Sequence, residues 1–313
     1  MNVFIAGGSG AIGRHLVPLL VRAECRVTAL TRSAEAATRL QAMGALPVLG
    51  DVFDRARLDA CVADARPDVV VHQLTAFGTT NGDPLQATIR VRTEGTRNLV
   101  AAARAAGARH FIAQSIAFVF APGEGLADED TPLYPQAPAA LRPLVDSVAT
   151  LESETLGASG IAGTVLRYGW FYGAGTNHHP DGATARAVRK GRVAQVGEGA
   201  GRYSFIGLAD AAEATLLALQ RGVGGVFHIV QPEPVALREW LPFVAQRLGA
   251  AAPPPLDVAS ARQQLGDLMV YFMNEQRGAS GAKARRELGW LPRESSWRAA
   301  FEALYPMSSV ASS

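Results

Sequence analysis

Gly7, Gly8, Gly10 and Gly13 crowd the opening stretch MNVFIAGGSGAIGR, and their spacing is that of a loop made to let backbone approach an anion. Asn2–Ala6 reads as a short buried strand, and Ala11–Arg22 has apolar groups at helical spacing (Ile12, Leu16, Leu19, Leu20). Gly7 permits a tight turn, Gly10 lets the backbone approach a pyrophosphate, and Gly13 lets the helix close on the strand. Ser9, Ala11 and Ile12 fill the places between them. Unpaired N–H groups at the helix start, and the positive end of its dipole, favour phosphate there. The same small residues could simply make a turn. The strand–turn–helix context, heading a long β/α alternation, favours a dinucleotide cradle.

Other chemistry-bearing residues fall at strand ends. Thr31-Arg32-Ser33 closes the second strand, Cys25–Thr31. An acidic residue there would hold ribose hydroxyls, whereas Arg32 suits a 2′-phosphate through a forked, charge-assisted contact. The expected cofactor is therefore NADP, with NAD the alternative. His72 lies within VVVHQL and reads as a buried, satisfied histidine. His178-His179 lacks the cysteine or spaced carboxylates of a metal site and reads as a polar loop, so no metal is expected. Trp170 and Phe171 suit the floor of an apolar pocket.

These groups need a scaffold. Further strands are expected at Leu46–Leu49, Val69–Gln73, Arg109–Gln114, Gly163–Leu166 and Val226–Val230, with helices at Asp54–Ala65, Pro84–Ala106 and Ala209–Leu219. Strand alternating with helix implies an α/β, doubly wound parallel sheet of the Rossmann kind. Residues 1–168, completed by about 203–231, form the expected core. Residues 169–313 are expected to be mainly a smaller C-terminal substrate lobe, with a helix at Ala236–Leu248 and a proline-rich linker at Ala251–Leu256.

Gly7-x-x-Gly10-x-x-Gly13 within GGSGAIG resembles the short-chain dehydrogenase/reductase superfamily, in its extended, epimerase/dehydratase-like branch. Glu94-Gly95-Thr96-Arg97-Asn98-Leu99, Leu166-Arg167-Tyr168, Tyr172-Gly173, Asp210 and the terminal KARRELGW before Pro292 resemble the same branch, so the likeness spans nearly the whole chain. The resemblance implies that Asp51-Val52 brackets the adenine and that Leu74-Thr75-Ala76 lies beside the pyrophosphate and ribose. Arg92, Gln114 and Tyr168 complete the implied cofactor set, with Tyr168 near the nicotinamide end and Arg92 in the place of an active-site asparagine. It also implies a homodimer joined through Pro84–Ala106 and the helix around Leu141–Leu156.

The family's usual acid–base pair, a tyrosine with a lysine four residues on, is missing. The lysine's charge lowers the phenol's pKa, but this chain's lysines are Lys190 and Lys283, both beyond the segment concerned. Ala139 and Pro143, or in another register Asp146 and Thr150, take the two places. Ile116 occupies the register of the family's hydroxyl, and Ser115, one place earlier, is the candidate catalytic residue. Asp146 and Tyr134 are the other groups that could act in the pair's stead.

Three readings follow: hydride transfer on a small, fairly apolar carbonyl or alcohol; nucleotide-sugar epimerisation or dehydration, weakened by the missing pair; and a cofactor sensor without turnover. A 313-residue chain with 48% hydrophobic content can bury a large core, and a net charge of +2 without clusters argues against nucleic acid and acidic membrane surfaces. Cys25 and Cys61 read as buried small apolar groups in a reducing compartment. With no membrane-length apolar run and no basic leader, a cytoplasmic protein acting on a small molecule is expected.

Overall fold

The computed structural model describes residues 1–76 and 83–307. Six strands, β1 (Asn2–Ala6), β2 (Arg26–Thr31), β3 (Leu46–Leu49), β4 (Val69–His72), β5 (His110–Ile116) and β6 (Ala162–Tyr168), join Gly225–Ile229 in a seven-stranded parallel sheet. The order is Gly225–Ile229, β6, β5, β4, β1, β2, β3. The direction of winding reverses between β1 and β4, which pair from Val3↔Val69 to Ala6↔His72. A crevice for a ligand opens at the carboxyl ends of strands at such a switch point.

The strands read as continuous apolar runs because helices cover both faces of the sheet. Helices α1 (Gly13–Arg22), α2 (Ala34–Ala42), α3 (Arg55–Ala65), α4 (Pro84–Arg90), α5 (Thr96–Ala105), α6 (Arg142–Leu156), α7 (Ala183–Arg189) and α8 (Leu208–Arg221) follow in chain order. On one face Val3, Ile5 and Ile112 pack with Leu16 and Leu20 of α1 and Ala211 of α8. On the other, Phe4, Val70 and Phe111 pack with Leu58 of α3 and Leu99 of α5. A separate apolar cluster around Tyr203, Phe205, Trp240 and Phe301 fills the later part of the chain. Leu288 and Trp290 return to the sheet, packing with the α1 and α8 side.

Several boundaries depart from the sequence expectation, and two matter for the site. β5 runs on to Ile116 because Gln114, Ser115 and Ile116 find partners in Leu166, Arg167 and Tyr168 of β6. The long helix from Pro84 is interrupted by a π-helical turn at Val91–Gly95. In addition, Arg202–Tyr203 pairs antiparallel with Val235–Ala236, and Phe205–Gly207 pairs parallel with Trp170–Tyr172, both outside the main sheet.

Past β5, the chain is fastened to distant segments. The Ala117 N–H donates to the Tyr168 carbonyl (2.8 Å), and the Ala127 N–H to the Gly278 carbonyl (2.8 Å). The Tyr271 hydroxyl donates to the Phe120 carbonyl (2.7 Å), and Glu129 accepts the backbone N–H of His228 (2.8 Å). No helix among the described residues is long and apolar enough to cross a membrane.

Candidate active site

The glycine loop has the shape that its spacing implied. Gly7 sits at φ +99°, and a Cβ there would lie 2.6 Å from the Gln73 carbonyl group. A Cβ on Gly13 would meet the Gly8 carbonyl oxygen at 2.3 Å, so only glycine lets α1 start this close to the loop. The Gly10 N–H donates to the Gly7 carbonyl (3.0 Å). Gly10 is exposed at the tip, with Ser9 and Ala11 half-buried beside it, while Ile12 is buried under the sheet. α1 begins without a side-chain cap and without an acidic residue in its first turn. The Arg14 N–H is taken by the Gly10 carbonyl (3.1 Å) and the His15 N–H by the Ile12 carbonyl (2.9 Å), so what the start of α1 offers an anion is its dipole and the loop N–H groups ahead of Arg14.

At the end of β2, Thr31 is buried and Arg32 projects outward, its guanidinium 3.9 Å from the Asp51 carboxylate. Ser33 caps α2 by accepting the Ala36 N–H (3.1 Å). Asp51 accepts the Phe53 N–H (3.0 Å), and the Asn98 amide donates to the Val52 carbonyl (2.9 Å), pinning this loop to α5. Arg32, Asp51 and Val52 therefore adjoin one another beside the cradle. No acidic side chain occupies the last places of β2 itself, RVTALT.

His72, at the end of β4, orders the next loop. Its Nδ1 accepts the Leu74 N–H (3.3 Å), which leaves Nε2 to donate to Thr96 Oγ1 (3.1 Å). Burial, with Arg92 nearby, pushes its pKa down to about 4, so the ring is neutral. Ala76, buried, donates its N–H to Thr88 Oγ1 (3.1 Å), Leu74 is half-buried, and Thr75 is exposed.

The wall at the end of β5 differs from the expectation. Ser115 is fully buried, and its hydroxyl donates to Glu152 (2.7 Å). Glu152 also takes two bonds from the guanidinium of Arg167, from Nε (2.8 Å) and Nη2 (2.7 Å). The Ser115 hydroxyl, the candidate catalytic group, thus serves a buried ion pair beneath α6. The cause is the strand itself: Ser115 is paired in β5, so it points opposite to its neighbours. Gln114, half-buried, and Ile116 share the other face. Tyr168, expected near the nicotinamide end, lies within the core. Its ring is fully buried, and its hydroxyl lies between Thr215 (2.6 Å) and Gln73 (3.4 Å), with burial raising its pKa to about 12. Ala139, Pro143 and Asp146 all face solvent, and Thr150 donates to the Asp146 carbonyl (2.9 Å).

What lines this end is apolar. Ile116, Val119, Leu144, Val145 and Phe272 form one cluster, with Phe118, Tyr134 and Trp170 packed against it. Phe118 and Trp170 are stacked at 4.2 Å, and Phe272 meets Trp170 edge-on at 5.2 Å. Trp170 donates through its indole N–H to Gln276 (3.2 Å). A cavity of about 180 Å³ borders this cluster, lined by Leu141 and Tyr271 together with Arg262 and Glu275. Neither Phe118, just past the end of β5, nor Phe272 was singled out in the sequence. His178 is buried in a ring cluster with Phe205 and Trp240, its Nδ1 against the Phe171 carbonyl (3.1 Å). Among the described residues no group of three or more potential metal ligands occurs.

The parallel sheet, its switch point and the glycine cradle define a Rossmann protein of the short-chain dehydrogenase/reductase type. The chain belongs to the NAD dependent epimerase/dehydratase family, whose model matches residues 3–230. A 3-diazoavenalumate denitrifying reductase of a Streptomyces species is 43% identical over 303 residues, spanning 95% of this chain and 98% of its own. A Stigmatella aurantiaca ketoreductase, named for 4-hydroxy-2-methyl-3-oxo-4-farnesyl-3,4-dihydroquinoline-1-oxide, is 32% identical over 318 residues, 94% of this chain and 92% of its own. The fold is also that of Thermus thermophilus UDP-glucose 4-epimerase, solved with NAD, at a TM-score of 0.75 and 24% identity over 97% of both chains.

Proposed function

We propose that this protein is an NADPH-dependent reductase acting on a small, flat, conjugated and largely apolar substrate. The observation that carries this reading is the wall at the end of β5, where stacked Phe118 and Trp170 stand in a family site without its tyrosine–lysine pair. Epimerisation needs a base that removes a proton from a sugar hydroxyl; Asp146 faces solvent and Thr150 is spent on the Asp146 carbonyl, which argues against either in that role. The cofactor, when bound, supplies a hydride. The chain's part is to hold the cofactor on the Gly7–Gly13 loop and to present an apolar surface to the substrate. The accompanying proton comes from solvent. The two relatives named as reductases support the same reading.

NADPH is preferred through Arg32. A hydrogen bond to a charged group contributes about 1.5–3 kcal/mol, which is roughly 10–150-fold in affinity. Loss of NADPH absorbance should accompany reduction of aryl-conjugated carbonyl compounds, with UDP-glucose left unchanged. Arg32→Asp should erase the preference of NADPH over NADH in fluorescence titration. Interconversion of UDP-glucose and UDP-galactose would establish the epimerase reading instead, and tight NADPH binding without turnover on any substrate would favour a sensor.

The chain is further proposed to form a homodimer through α4, α5 and α6, which lie side by side and are tied by Arg97 and Glu154 (2.8 Å). Light scattering should return about twice the mass of one chain; a monomer mass at micromolar concentration would refute it.

A further inference from the structure

Arg92 is buried in the π-helical turn after α4, with 3% of its surface exposed. Its Nη1 is closed off from solvent and meets no acceptor, and no ion pair to Arg92 occurs among the described residues. Arg167, equally buried, has the Glu152 carboxylate on two of its nitrogens. In the family register Arg92 stands in the place of an active-site asparagine. One turn before it, Thr88 holds the Ala76 N–H; one turn after it, Thr96 holds the His72 ring. Leu85, two turns before it, packs against the cluster of Ile116, Phe118 and Trp170. The charge of Arg92 acts on the His72 ring, and that of Glu152 acts on Arg92, although Glu152 is already committed to Arg167.

A buried guanidinium presents five donors and a charge. Ribose hydroxyls could take up its donors but not offset the charge, and an unpaired buried charge is strongly unfavourable. An anionic oxygen does both, and Leu85, on the helix that leads into Arg92, packs against the ring cluster of Phe118 and Trp170. We propose that Arg92 is the receptor for an anionic oxygen of the substrate, so that the substrate is an aromatic phenolate or carboxylate whose ring lies toward Phe118 and Trp170. This assignment rests on the reductase reading and narrows its substrate class. It also moves Arg92 from the cofactor set expected from sequence to the substrate side.

Calorimetric titration of the full chain, with and without NADP, tests it with two matched pairs of probes: cinnamate against cinnamamide, and 4-nitrophenolate against 4-nitroanisole. At least one anion should bind about 10-fold or more tighter than its neutral partner, the range of a hydrogen bond to a charged group. Arg92→Met should abolish that difference, and Arg92→Lys should retain part of it. Because the guanidinium has no partner to strand, Arg92→Met should melt at or above the temperature of the parent protein. Equal binding of anion and neutral partner overturns the proposal, as does failure of all four probes to bind or a preference that survives in Arg92→Met. Weaker NADPH binding by Arg92→Met with anion preference intact would assign the guanidinium to the cofactor and equally overturn it. Failure of the parent protein to bind NADPH sinks the reductase reading alone, since discrimination of the anions is read without cofactor as well.

Discussion

Glu152→Ala should lower stability by about 3–5 kcal/mol, the cost of stranding a buried charge. The Glu152 and Arg167 side chains are 8% and 6% exposed, and the carboxylate takes three hydrogen bonds, one from Ser115 and two from Arg167. Without it the Arg167 guanidinium keeps, among the described residues, His228 Nε2 at 3.3 Å and the face of the Phe120 ring. The His228 ring cannot compensate, because burial, then Arg167 itself, hold its pKa down to about 3 and leave it neutral. Domains are stable by only about 5–15 kcal/mol, so the loss is a large part of the whole. Ser115→Ala removes one bond to a charged acceptor and should lose about 1.5–3 kcal/mol, with turnover preserved in whatever fraction stays folded. Denaturant unfolding of both variants measures this. An unfolding midpoint of Glu152→Ala equal to the parent's would show the pair to be dispensable. A selective loss of turnover in fully folded Ser115→Ala would return that hydroxyl to catalysis.

Gly13→Ala should cost most of the dinucleotide affinity, a fall of about 100-fold or more, equivalent to roughly 2.7 kcal/mol. The added Cβ would meet two carbonyl oxygens, those of Gly8 (2.3 Å) and Gly7 (2.5 Å), both backbone and unable to swing aside. Either α1 withdraws or the loop opens, and each displaces the N–H groups from their phosphate-facing positions. The melting temperature should fall as well, because overpacking of this kind costs about 1–3 kcal/mol. Gly10→Ala provides the contrast. Its Cβ would meet only the Gly7 carbonyl oxygen at 3.2 Å, at an exposed tip, so the fold should melt nearly unchanged while NADPH binds more weakly. Equal melting temperatures for Gly13→Ala and the parent, with NADPH affinity intact, would contradict the packing described.

The cradle and the sheet were legible in sequence because their determinants are local. A strand, spaced glycines and an amphipathic helix occupy residues 2–22, and each further strand declares itself as a short apolar run. The wall after β5 was legible in the absence of the tyrosine and lysine and in Trp170, which suited a pocket floor. Where Ser115 points depends on whether the strand ends at Gln114 or continues to Ile116, and that depends on β6, some fifty residues away. Its partner Glu152 lies 37 residues on, in a helix whose acidic groups look alike in sequence. Asp146 ended exposed and Glu152 buried because only the latter meets Arg167. Phe272 reaches the wall from a part of the chain with no pattern of its own. Arg92 was legible as a departure from the family's asparagine, but its lack of a partner is a property of the packed structure alone.

The segment following β5 is bolted down at Ala117, Phe120, Ala127 and Glu129, through backbone groups in all but the Tyr271 hydroxyl and Glu129 carboxylate. None of these bolts uses the side chains of Phe118, Trp170 or Phe272. What fixes the partition and what it displays are therefore separate inheritances. An evolving lineage can exchange the displayed rings for other shapes while the bolts, blind to that exchange, keep the partition standing. In such a protein a change of diet does not require a change of skeleton.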